Sequence, residues 1–181
     1  MSARAKISTP LWLRLGCLAL SAAALATIVF APRVATGITV ALVVSIIGAI
    51  LRQRWVRHRA TVQFREAYHA DGKDLLLVYS SSPHWQSLIE EEWIPRWATR
   101  AVVFDRSLPR TKDTLEEALW RAYTGDREHT PVAIVVEAHG EPVVVPFFLA
   151  FRDRKHGKHA ALADALASLE AALASSEQGE P

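Results

Sequence analysis

Two stretches without a charged residue dominate the first third of the chain. Leu15 to Ala31 is a run of 17 residues and Val34 to Leu51 a run of 18, with only Pro32 and Arg33 between them. A helix needs about 20 mostly apolar residues to cross a hydrocarbon core of about 30 Å, and about 17 suffice. Each run therefore has the length of a membrane span. Leu11 and Trp12 can extend the first, with Arg14 reaching outward. Helices joined by so short a turn, roughly 31–36, must be antiparallel, and Pro32 fits there because it cannot continue the first helix. The expectation is a helical hairpin with spans at about 11–31 and 34–51, in which Gly16, Gly37 and Gly48 allow close helix contact.

Charge gives the hairpin a direction. No Asp or Glu occurs in residues 1–51, so the overall +2 averages a basic apolar part with a region, 52–181, that has 17 basic and 19 acidic residues. Arg4, Lys6 and Arg14 flank the first run, Arg52, Arg54, Arg57 and Arg59 follow the second, and the turn holds only Arg33. Because Lys and Arg accumulate on the cytoplasmic side, both termini and the soluble part are expected there. The expected setting is a bacterial inner membrane. A cleaved signal peptide in 1–31 is the rival reading, opposed by the second run that follows at once.

Residues 52–60 read as a basic juxtamembrane linker with Trp55 at the interface. The lipid bilayer is its expected partner, with anionic headgroups attracting it by about 1 kcal/mol per basic residue. The stretch is short and lacks a nucleic-acid-binding motif, so no nucleic acid is expected. The only cysteine, Cys17, lies in the first apolar run, which excludes an intrachain disulfide and a cysteine-based metal site.

From residue 61 the pattern is globular. A helix over 61–74 stops at Asp71-Gly72, and Leu75–Tyr79 is a buried strand. The next helix, 83–98, opens with Ser82 as N-cap and Pro83 at its first position, and Pro95 should kink or end it. A second strand follows over 100–107. A helix over 111–125 has Thr114 as cap, Glu117 completing a capping box and Gly125 as its stop. Residues 130–151 read as two strands about His139-Gly140, with Pro142 and Pro146 marking an edge strand. A basic loop over 151–159, an amphipathic helix over 157–176 and a disordered tail over 175–181 complete the chain. This order gives an α/β sandwich with a mixed sheet over 61–174.

The candidate site is the junction Ser80, Ser81, Ser82, Pro83, His84 and Trp85. Helix capping alone accounts for Ser82 and Pro83, while exposed backbone N–H groups there could also meet an anion. His84 is either a general base or a solvent-facing residue. Trp85, Trp93, Trp97 and Trp120 supply core packing or an exposed aromatic groove for a partner. His156 and His159 lack neighbouring ligands, and no metal or cofactor is expected.

The element order and two landmarks resemble the thioredoxin-like fold superfamily. The junction at Ser80–Trp85 sits where that family keeps its redox motif, "VVFDRS" resembles the next central strand, and Thr130-Pro131 falls at the family's cis-proline. The resemblance implies a groove lined by Ser81, Ser82, Pro83, His84, Trp85, Thr130 and Pro131. Both motif cysteines are missing, and thiol–disulfide exchange needs an attacking thiolate. The expectation is therefore a membrane-anchored, redox-inactive domain that binds a protein partner. The alternatives are a subunit assembled through its hairpin, or a glutathione-dependent or other non-cysteine enzyme using Ser82 and His84.

Overall fold

A computed structural model describes residues 32–109, 114–125 and 130–178. The first expected span, 11–31, lies outside them, and so does Cys17. The chain divides into two compact units between Gln53 and Arg54.

Helix α1, Pro32–Tyr68, begins at a proline, whose fixed φ suits a first helical position and whose missing N–H costs nothing there. In the first unit, every described side chain over 38–51 is exposed, including Val44 at 62% and Leu51 at 59%. The 18 uncharged residues 34–51 rise about 27 Å along a helix. This helix is long and apolar enough to cross a membrane.

The second unit is built on a four-stranded sheet of order β2-β1-β3-β4. Its strands are β1 (Leu75–Tyr79), β2 (Ala101–Asp105), β3 (Val132–Val135) and β4 (Val143–Pro146). β1 runs parallel to β2, pairing Leu75 with Ala101 and Tyr79 with Asp105. β3 is antiparallel to β1, and β4 to β3. β1 and β3 are central and wholly buried, which explains their unbroken apolar runs. β4 lies at an edge, where Pro146 withholds no ladder hydrogen bond.

The remaining elements cover the two faces. They are a helical segment over 86–96 (α2), α3 (Leu115–Thr124), α4 (Phe148–Lys155) and α5 (Ala160–Gln178). Leu76 and Val78 pack with Val102, Phe104 and Ile134 under Ala60 and Phe64 of α1 and Leu119 and Trp120 of α3. Leu75, Leu77 and Tyr79 face the other way, toward Ile89, Trp93, Phe151 and Leu169. The period-two alternation of β1 thus serves two cores at once. Burying Phe64, which has no exposed surface, contributes about 3 kcal/mol.

Several boundaries differ from those expected. Residues 52–60, expected as a juxtamembrane linker, are helical and continue α1, since no Gly or Pro interrupts them. That helix closes with a 3-10 turn, His69–Asp71, and Gly72 in the left-handed region at φ 70°. α2 starts at Gln86 rather than Pro83. Trp85 holds the cap position, and the Ser82 carbonyl accepts from the N–H groups of Trp85 and Gln86. Within α2, Ile89–Trp93 is a π-helical turn in which Ile94 N–H donates to Ile89 O. This widening precedes Pro95, which lacks a donor and whose ring crowds the preceding turn. Residues 148–155, expected as strand and loop, are helical. Phe147 N–H donates to Pro131 O, and Phe147, Ala150 and Phe151 then bury one helical face. α5 runs on to Gln178, into the expected tail.

Candidate functional site

The junction after β1 and the segment before β3 do meet. The Thr130-Pro131 peptide bond is cis, and both residues are buried. Ser80 Oγ and Thr130 Oγ1 share a hydrogen bond of 2.8 Å. Trp85 Nε1 donates to Ser80 O at 2.8 Å, while its ring packs against Phe148 and Phe151 at centroid distances of 6.2 and 5.9 Å. Ser81 N–H donates to Ser107 Oγ, and Ser107 N–H donates in turn to Asp105 Oδ1 at 2.8 Å. Ser82 Oγ is 3.4 Å from His84 N, a weak contact. The polar groups here mostly satisfy one another. Ser81, Pro83 and His84 are exposed, and Ser82 and Trp85 are half-buried.

Chemistry at this junction lacks an activating pair. Among the described residues, none of Ser80, Ser81 and Ser82 has its hydroxyl bonded to a histidine ring or a carboxylate. Below the junction, Tyr79 Oη donates to Glu90 Oε1 at 3.0 Å, and Gln86 Nε2 donates to the same oxygen at 3.1 Å. Burial, the Glu90 hydrogen bond and the negative charges of Glu90 and Asp105 push the Tyr79 phenol up to about 12. It is a proton donor at neutral pH. Trp93 and Trp97 stack edge-on at 5.7 Å inside the core, and Trp120 is buried as well, so these three indoles are packing residues.

A second site lies within the same unit, and it includes Arg54 and Arg57 of the expected basic juxtamembrane stretch. A cleft of about 510 Å³ is lined by Arg54, Arg57, His58, Thr61 and Arg65 of α1, with Tyr123 of α3 and Gly140 and Glu141 from the β3–β4 turn. Arg57 Nε donates to Ala122 O at 3.0 Å and its guanidinium lies 5.3 Å from the Tyr123 ring centre. Arg65 Nε donates to Glu137 O and Nη2 to Gly140 O, both at 2.8 Å. Thr61 Oγ1 bonds Arg57 O and Tyr123 Oη, each at 2.9 Å. The Arg54 side chain has no hydrogen bond or ion pair among the described residues. Of the expected membrane-flanking cations, Arg54 and Arg57 line this cleft, while Arg59 sits over the exposed Trp55 ring at 5.3 Å and Arg52 is exposed.

Arg65, Thr61, Tyr123 and Glu141 were missed as site residues. The available signal was the spacing Arg54, Arg57, His58, Thr61, Arg65, which is one face of an unbroken helix. Among the described residues no group of three or more His, Cys, Asp and Glu is placed to hold a metal ion. No family model matches the chain, and neither a curated protein nor a solved structure matches it.

Proposed function

We propose that this chain is a membrane-anchored, redox-inactive thioredoxin-like module that binds a protein partner at the cytoplasmic face. One observation carries the reading: the helix-opening junction after β1 meets the Thr130-Pro131 segment before β3, within a sheet of order β2-β1-β3-β4. A serine hydroxyl stands there in contact with Thr130, and the only cysteine of the chain is Cys17. The uncovered apolar surface of 38–51 supports the anchor, because lipid is the solvent in which such a surface is stable. The same surface, with Gly48 open on its outer side, supports a second reading as a subunit assembled through its membrane helices.

A photo-crosslinker placed at exposed His84 in intact membranes tests the first reading. A discrete adduct is expected at position 84 and none from the same probe at exposed Ser168 of α5. Identical patterns from both positions contradict partner binding at the junction. A copurifying membrane protein whose association survives deletion of 60–181 favours the second reading. Retention of the full chain in carbonate-washed membranes tests the anchor itself.

A further inference from the structure

We infer that the cleft between α1 and the β3–β4 turn binds the phosphate of an anionic phospholipid headgroup. The inference rests on the membrane anchoring proposed above and adds to it a built site with a ligand class.

Charge is the first argument. Three guanidinium groups and His58 line the cleft against one carboxylate, Glu141, and the first acidic residue of the whole chain is Glu66. Like charges three and four residues apart repel on a helix. Among the described residues, Arg54, Arg57 and Arg65 have no carboxylate partner. An anion relieves this repulsion.

Preorganisation is the second. Backbone carbonyls hold Arg57 by Nε and Arg65 by Nε and Nη2, so their orientation is fixed while the remaining N–H groups stay available. A guanidinium fork held in place suits the paired oxygens of a phosphate. The carbonyl contacts bring in no countercharge, so the positive field of the cleft is kept.

Location selects the source. Arg54 follows Leu51, the last residue of the uncharged run, by three positions. Three residues of chain reach at most about 11 Å, however they are arranged. Headgroups occupy roughly the first 5–8 Å outside the hydrocarbon. The cytoplasmic leaflet carries the anionic lipids that attract such cations. Glu141, which also lines the cleft, favours a headgroup with hydroxyls to donate to it, such as glycerol.

The test uses the full-length protein in a neutral detergent, titrated with water-soluble dihexanoylphosphatidylglycerol. Dihexanoylphosphatidylcholine and inorganic phosphate are the comparison probes. Saturable binding of the phosphatidylglycerol is expected, with the zwitterionic analogue much weaker. In the double variant Arg54→Gln, His58→Gln the affinity should fall about tenfold or more, with the melting temperature unchanged. Equal binding of both lipids, or an unchanged affinity in the variant, overturns the inference. So does inorganic phosphate that binds more tightly than the lipid and displaces it, because the ligand is then a soluble phosphate. Protein retained by carbonate-washed membranes that does not bind phosphatidylglycerol sinks this inference alone. Protein released by carbonate sinks the anchor instead.

Discussion

The junction after β1 and the basic cleft belong to the same compact unit and treat their polar groups in opposite ways. At the junction the polar atoms pair within the chain: Ser80 with Thr130, the Trp85 indole with the Ser80 carbonyl, Ser81 with Ser107. In the cleft Thr61 and Tyr123 pair with each other, but of the guanidinium groups only the anchoring atoms of Arg57 and Arg65 are held, and the Arg54 side chain is left without a partner among the described residues. Hydrogen bonds made within the protein hold it together, and charge left unneutralised is available to something outside. The comparison separates a junction whose described hydroxyls are paired within the chain from a cleft with the charge to hold an anion.

Substitutions should keep the two regions apart. The largest effect is expected from Trp85→Ala, which removes an indole packed on Phe148 and Phe151 and a hydrogen bond to Ser80 O. A loss of about 3 kcal/mol in chemical denaturation is predicted, because the ring is only half-buried. Arg65→Ala loses two hydrogen bonds to the β3–β4 turn, and about 2 kcal/mol is expected together with weakened lipid binding. Thr130→Val removes the hydroxyl paired with Ser80 and should cost about 1 kcal/mol, leaving lipid affinity unchanged. Arg54→Gln inverts that result, with stability within about 0.5 kcal/mol of the parent and lipid affinity reduced. A variant that moves both readouts at Thr130, or stability at Arg54, breaks the division.

Alkaline titration sharpens the junction side. Tyr79 ionises at about 12 in the folded chain against 10.0 for a free phenol. The folded state then holds the proton more tightly than the unfolded state. The stabilising contribution is complete below pH 10 and is lost as pH rises from there through 12. Glu90→Gln removes the negative charge beside the phenol while leaving an amide oxygen to accept its hydrogen bond, so the phenol should titrate lower, as read by ultraviolet absorbance.

Much of the architecture was legible because its signals are local. The apolar run of β1, the Thr114 cap, the Gly125 stop and the proline-flanked edge strand each follow from residue type and spacing, and Thr114 Oγ1 does accept from Glu117 N–H. The stop at Gly72 was equally readable. What was not legible depended on tertiary context. The run Val143–Phe151 reads as strand throughout, but the ladder stops where Phe147 N–H turns to Pro131 O, and a helix buries the rest. The change in composition near residue 60 suggested a boundary, although nothing in 52–60 breaks a helix. Reading 52–60 apart from the helix after it hid the cleft, since its five α1 residues align only on a continuous helix. Tyr123 and Glu141 come from elements distant in sequence, and no spacing rule connects them to Arg57.

The measurement that bears most directly on the account is native mass spectrometry of the full-length protein released from its own membranes in neutral detergent. The parent chain and Thr130→Val are predicted to retain a bound anionic phospholipid, and Arg54→Gln, His58→Gln to lose it. An Arg54→Gln, His58→Gln protein that keeps the lipid while Thr130→Val loses it would contradict the account, for the junction and not the cleft would then be the binding site.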